Sequence, residues 1–245
     1  MTGSGGATAK DLRVEPISGR DARRIITRLH YSGKVDPRSQ LHLGVFLGGR
    51  AHGAIQFGPS IDKSKTIGLV ADTPWNGYLE LNRLAFDEHL PRNSESRALA
   101  VAFRLLRRHA PHVEWVLSYA DATQCGDGTI YRAAGFWLTN IAPNRSMWRM
   151  PDGDVVASIV FDPGFSPNAG PASIKARYGK VGSESSGRFL RRIGATRLDG
   201  YQLRYIKGLA PGVRERLTVD IIPYGRIAQV GASMYRGERP MDDER

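Results

Sequence analysis

A carboxylate, a guanidinium and two phenols stand where strand-like and helix-like segments of the chain end, and their types suit proton transfer beside an anion. Asp121 follows the apolar run Val113–Ala120. Carboxylates at strand ends commonly face ligands in open α/β sheets, and one here could accept a proton. It could equally make an Asx turn or a helix cap ahead of Ala122 and Thr123. Tyr131 falls in a short helical segment. With a reference pKa of about 10, a tyrosine keeps its proton at neutral pH and can give it to a departing group, or it can simply pack. Arg83 is planar and permanently charged, suited to a carboxylate or phosphate, and would be costly to bury unpaired; an internal salt bridge would also satisfy it. His30 and Tyr31 follow a helix, where His30 can pack as readily as catalyse and Tyr31 offers a ring for stacking. None of the remaining histidines has metal-binding spacing such as H-E-x-x-H. The single cysteine, Cys125, excludes a disulfide framework and a multi-cysteine zinc site, so no local motif calls for a metal.

The elements that must position these groups alternate in type. Leu12 and Val14 suggest a short strand. Arg20–Tyr31 carries Ala22, Ile25, Ile26 and Leu29 at helical spacing, with Ser18 as N-cap. Leu41–Leu47 and Ala51–Phe57 flank Gly48-Gly49-Arg50 as a hairpin. Tyr78–Phe86 reads as a strand with Leu79, Leu81, Arg83 and Ala85 on one face. A helix starting at Asn93 or Ser94 presents Leu99, Ala102, Phe103 and Leu106 as its apolar stripe. Val113–Ala120 is a strand, Gly128–Ala134 a short helix, and Phe136–Thr139 begins another strand. The order β-α-β-β-β-α-β-α-β predicts a mixed α/β domain with one central sheet.

Composition sets the outer limits. The chain has 245 residues, 41% hydrophobic and 24% charged, ordinary globular material of one large domain or two small ones. No apolar run approaches a membrane span, and the first residues lack a secretory signal, so a cytoplasmic, reducing address is expected. The net charge of +11 suits a polyanionic partner. The charge concentrates in residues 175–216, which hold eleven Lys/Arg against Glu184, Asp199 and Glu215. The expected organisation is a flexible leader (1–10), a core domain (11–161), a Pro/Gly-rich connector (162–172), a small basic α+β extension (173–236) and a polar tail (237–245). In the extension, Arg188, Arg191 and Arg192 lie on a short helix ended by Gly194. Arg204 and Lys207 lie on a strand, Tyr201–Lys207.

The element order resembles that of the GNAT N-acyltransferases, as does Ile130-Tyr131-Arg132-Ala133-Ala134-Gly135-Phe136, similar to the aromatic segment that closes many such domains. A closer resemblance runs from about residue 25 to 209. Its blocks are His30-Tyr31-Ser32-Gly33, Glu80-Leu81-Asn82-Arg83-Leu84-Ala85, Pro91-Arg92-Asn93-Ser94-Glu95-Ser96, Ser118-Tyr119-Ala120-Asp121 with Gly128-Thr129-Ile130-Tyr131, Ala176-Arg177-Tyr178-Gly179 and Leu203-Arg204-Tyr205-Ile206. In this order they resemble the phage Mom family of DNA-modifying proteins, divergent GNAT relatives.

The resemblance implies conversion of adenine in duplex DNA to N6-carbamoylmethyladenine, protective against restriction, in the cytoplasm of an infected host cell. It points to Tyr31, Arg83, Ser96, Asp121 and Tyr131 as functional positions, with His30 adjacent. The family often has a histidine where this chain has Cys125-Gly126-Asp127, so a role for that histidine does not carry over. GNAT proteins hold the donor's anion at a Gly-rich loop opening the helix after the fourth strand. Here the loop Asp87–Arg97 has no glycine and three acids, and Asn93, Ser94 and Ser96 would contact the donor or cap the helix. The donor would be an acyl-CoA or an activated glycine such as glycyl-tRNA. A base inside a duplex must be extruded for such chemistry. That requirement makes Trp75 a candidate wedge and Arg188, Arg191, Arg192, Arg204 and Lys207 candidate phosphate contacts. Two other readings are an acyltransferase acting on a protein or small-molecule amine, and a nucleic-acid-binding protein on an inactive GNAT scaffold.

Overall fold

The computed structural model describes residues 7–161, 174–180, 184–235 and 237–238. The expected connector lies outside them, as do most of the leader and tail. In chain order the elements are β1 (Arg13–Pro16), α1 (Gly19–Leu29), β2 (Leu41–Leu47), β3 (Arg50–Gly58), α2 (Lys63–Thr66), β4 (Tyr78–Phe86), α3 (Ser94–His109), β5 (Trp115–Ala122), α4 (Thr129–Ala133), β6 (Trp137–Pro143), β7 (Met147–Arg149), β8 (Val155–Ala157), α5 (Ile174–Arg177), α6 (Ser186–Arg192), β9 (Thr196–Arg197), β10 (Tyr201–Gly208) and α7 (Gly225–Gln229).

Local signals account for most of these. The Ser18 side chain accepts from the Asp21 N–H and opens α1 as expected. Gly48 and Gly49, at φ 56° and 80°, supply the positive dihedrals that a two-residue hairpin turn between β2 and β3 requires. The apolar stripe of α3 (Leu99, Ala102, Phe103 and Leu106) is buried against the sheet with Leu43, Ile55, Leu81 and Val116. On the other face α1 buries Ile25 and Ile26 against Ala54 and Ala85. The result is the expected mixed α/β arrangement, one central sheet flanked by helices.

Seven strands form that sheet in the order β1-β2-β3-β4-β5-β10-β6. All neighbours are antiparallel except β4 and β5. The position of β10 corrects the expected division of the chain at residue 161. This strand of the supposed extension is inserted between β5 and β6, paired over its whole length with β5 from Tyr201↔Ala122 to Gly208↔Trp115. Its buried Leu203 and Tyr205 belong to the main core and its Ile206 packs with Tyr78, Trp115 and Leu117 on the other face, so the core domain is incomplete without it. The segment between β6 and β10 makes a small body of its own. In it the three-stranded sheet β8-β7-β9 packs with α6 around Met150, Val156, Phe161, Phe189 and Leu190.

A second correction concerns β4. Gln56 pairs with Arg83 but Phe57 pairs with Leu81, so Asn82 is an extra residue on β4, a β-bulge. Strict alternation fails there. Leu79 and Leu81 face the α3 side, and so do Leu84 and Phe86 beyond the bulge, while Ala85 faces α1. Arg83, alternating with Leu84, therefore faces α1 and does not share a face with Leu79 and Leu81.

Candidate active site where two parallel strands part

Parallel pairing between β4 and β5 covers only Tyr78↔Trp115, Leu79↔Val116 and Glu80↔Leu117. Beyond Glu80 the bulge turns β4 away while it stays paired to β3, and β5 stays paired to β10. The carboxyl-terminal ends of two parallel strands thus separate, the place where open α/β sheets bind ligands. The N-terminal ends of α3 and α4 open from the same edge, because α3 follows β4 and α4 follows β5.

Four of the expected residues meet at this opening. Asp121 is fixed by its own turn: the Thr123 N–H donates to Oδ1 at 2.9 Å and Gln124 Nε2 to Oδ2 at 3.0 Å. The Tyr31 hydroxyl, ninety residues away in sequence, donates to Oδ2 at 3.3 Å. Tyr31 is 51% exposed, so its ring is open to solvent while its hydroxyl is directed at the carboxylate. Burial of that hydroxyl, then the Asp121 charge, raise its pKa. Arg83 donates from Nε to the Lys34 carbonyl at 2.9 Å and from Nη1 to the Asn82 carbonyl at 2.6 Å. Its partner acid is Asp36, at 3.9 Å and itself paired with Arg38. Nη2 has no hydrogen-bond partner among the described residues. Tyr131 lies buried on α4 against Phe136 and Tyr205. Burial pushes its pKa up to about 12; the nearby Ser118 hydroxyl, which makes no well-formed hydrogen bond, works against the rise.

The His30 ring packs against Tyr31, tilted by 33° at 4.4 Å between ring centroids, and its Nδ1 lies 2.8 Å from the Ser32 hydroxyl. Burial, then the Arg83 charge, lower its pKa to about 4, so it is neutral at physiological pH. Its place is behind Tyr31, steadying the ring.

Sequence reasoning passed over Glu80. It is the last residue of β4 paired to β5, and burial raises its pKa to about 7 against the opposing pull of Arg38. The signal available was a carboxylate inside an apolar strand. Tyr119 and Arg204 lie beside it on the α1 face of the sheet, close enough for their charges to be felt by one another.

The other expected residues are placed differently. Ser94 is fully buried and its hydroxyl donates to the Pro91 carbonyl at 2.6 Å, so it is turned away from any donor. Asn93 is exposed and adopts φ 68°, supplying the left-handed turn that a glycine would otherwise provide. Ser96, in the first turn of α3, donates to the Asn93 carbonyl at 3.1 Å. Arg204 and Lys207 alternate to opposite faces of β10, where they bond to Thr139 and to the Gly135 carbonyl, so they do not form one surface. Arg192 is held by Glu184 through two bonds of 2.9 Å, whereas Arg188 and Arg191 are exposed. Trp75 is 61% exposed under Lys63, off the N-terminal end of β4, whereas Asp121 lies at the opposite end of the parallel strand.

Residues 11–226 match the model of the Mom protein family. The chain belongs to that family. A relative from Escherichia phage Mu, named methylcarbamoylase mom, is 44% identical over 132 residues, which is 54% of this chain and 54% of the relative. The chain thus spans about half the length of that curated relative. Among solved structures, the ribosomal-protein-S18-alanine N-acetyltransferase of Escherichia coli aligns over 81% of this chain and 94% of its own, at 13% identity and a TM-score of 0.42. A spermidine/spermine N-acetyltransferase of Vibrio cholerae aligns over 83% and 95%, at 7% identity and a TM-score of 0.43. Within the Mom-family frame, the residues gathered at the strand opening come from four separate blocks of the chain.

Proposed function

We propose that this chain is a transferase that modifies the N6 amine of adenine in duplex DNA, leaving N6-carbamoylmethyladenine, inside a phage-infected cell. The observation that carries the reading is the hydrogen bond between Tyr31 and Asp121, around which Arg83 and Tyr131 lie. Family membership and the phage Mu relative's name support the class of product.

The adenine amine is conjugated with its ring and a poor nucleophile, so it needs an oriented proton acceptor. Asp121 is that acceptor, its carboxylate held by Thr123 and Gln124. The Tyr31 bond, the longest of the three, yields to the entering amine, and the open face of the Tyr31 ring stacks on the extruded base. Arg83 offers Nη2 to an anionic group of the donor. Tyr131 keeps its proton to a pH of about 12 and gives it to the departing group. The gap between β4 and β5 lets Tyr131, which packs on the α3 side, act with groups on the α1 side.

The donor binds at the first turn of α3, where Asn93 and Ser96 stand at a helix N-terminus. Carbamoylmethyl is attached through a CH₂, so simple acyl transfer does not install it. A glycyl group on N6 is its isomer. Attack of N6 on an activated glycine, as a thioester or an aminoacyl ester, forms the N–C(O) bond and releases the carrier with the N6 proton. The glycyl amine then attacks C6 of the adenine ring and the C6–N6 bond breaks, so the glycine nitrogen becomes the exocyclic nitrogen and the former N6 the primary amide nitrogen, with no atom gained or lost.

Nucleoside mass spectrometry of plasmid DNA from expressing cells tests the reading. A new adenosine species heavier by one glycyl residue, absent with Asp121→Ala, is expected. Unmodified DNA from soluble protein supplied with phage-infected extract would overturn it and leave acylation of another amine.

A further inference from the structure

The body inserted between β6 and β10 has no part in that chemistry, and its charge is unlike that of the sheet it hangs from. Its described residues, 144–161, 174–180 and 184–200, hold nine Lys/Arg against Asp152, Asp154, Glu184 and Asp199. Three of those acids are already engaged, Asp152 and Asp154 by Arg177 and Glu184 by Arg192. Arg188, Arg191 and Arg197 are exposed and have no ion-pair partner among the described residues. Arg188 and Arg191 are one helical turn apart on α6, whose Phe189 and Leu190 point into the small core. Arg197 on β9 pairs with Trp148 on β7 and shares the sheet face that α6 covers. The three arginines thus belong to α6 and to the sheet strand beside it.

Two tethers hold this body against the candidate active site. At its neck the Asn144 N–H donates to the Gly200 carbonyl at 2.8 Å, and Asn144 Nδ2 donates to the Thr123 hydroxyl at 3.0 Å. Thr123 is the residue whose own N–H fixes Asp121. Gly200 is needed there, since a Cβ would sit 2.5 Å from the Thr123 hydroxyl oxygen. The second tether is Lys34, whose Nζ donates to the Val155 carbonyl at 3.3 Å while its own carbonyl accepts from Arg83. One tether reaches Asp121 and the other Arg83.

Resting on the proposed function, we infer that this inserted body is the grip on duplex DNA, with Arg188, Arg191 and Arg197 contacting phosphates of the strand whose adenine enters between Asp121 and Arg83. Unpaired arginines on a rigid support suit phosphate oxygens, which their planar fork binds two at a time. The tethers give a reason for placing them there. A base leaves the stack while its own backbone stays held, so the grip must keep a fixed position relative to the proton acceptor.

Equilibrium binding of the full chain to a fluorescent duplex across a salt series reads this directly. The triple variant Arg188→Gln, Arg191→Gln, Arg197→Gln is expected to weaken binding about tenfold or more at low salt and to flatten the log–log salt slope by about 0.9 for each phosphate no longer neutralised. The corresponding triple Lys variant keeps the slope, and Arg104→Gln with Arg108→Gln on α3 leaves it unchanged. A wild-type slope in the triple Gln variant would overturn the inference while leaving the proposed function standing. So would a loss confined to an RNA hairpin. Wild-type protein without salt-dependent duplex binding would remove both.

Discussion

At the scale of single residues, the site separates groups that hold protons from groups that take them, and burial does most of the sorting. Tyr131→Phe removes one oxygen from a buried ring that keeps its packing on Phe136 and Tyr205. We expect turnover to fall by about 10²-fold or more, with the thermal midpoint within a few degrees of wild type, measured by modified-nucleoside yield and calorimetry. Glu80 provides a test in pH. Its carboxyl has an ordinary value of 4.5 in the unfolded chain and about 7 when folded, because burial disfavours its charge. Between those values the folded state binds the extra proton, so stability falls as pH rises through the window and levels off above it. Glu80→Gln should remove that contribution, so that its denaturant midpoints rise relative to wild type as pH is raised from mildly acid to neutral. His30 behaves in the opposite sense. With a folded pKa of about 4 against 6.5, it costs nothing above the unfolded value and destabilises progressively as pH drops below it. A pH–activity profile with a limb near neutrality that vanished in His30→Gln would contradict its supporting place behind Tyr31.

At the scale of elements, what the sequence reveals and what it hides divide along local and long-range lines. Helix α1 with its Ser18 cap, the Gly48-Gly49 hairpin and the stripe of α3 could be read directly, because each depends on dihedrals and periodicity within one segment. The face carrying Arg83 could not, because a single extra residue at Asn82 inverts the alternation and no residue type marks it. Nor could the partners of β10. An apolar strand after a basic segment gives no hint that it enters the middle of a sheet begun long before it. Of the site, Tyr31, Arg83, Asp121 and Tyr131 were legible as types and blocks. The inward turn of Ser94 and the proximity of Glu80 arise only from packing. Gly128 shows how firmly one such junction is set: its φ is 87°, and a Cβ would lie 2.5 Å from the Tyr205 ring. Gly128→Ala should cost at least about 2 kcal/mol in chemical denaturation, from strain and overpacking together.

At the scale of the whole molecule, the basic body and the sheet divide the work of holding a polymer and acting on one unit of it. The described residues of the basic body hold nine Lys/Arg against four acids, and the tethers through Asn144 and Lys34 bring that local excess to the site. The sheet is also not divisible at residue 161. A fragment comprising residues 1–161 lacks the strand that joins β5 to β6, and we expect it to show no cooperative thermal transition where the full chain does. Cooperative unfolding of the fragment would restore a domain boundary at that point. The same threading has a consequence for how the chain is made. As it emerges from the ribosome, β5 and β6 are complete some sixty residues before their common neighbour arrives. During that interval two apolar strand edges stand open to one another and to other nascent chains, so the yield of soluble protein should depend on the pace of translation through the basic segment.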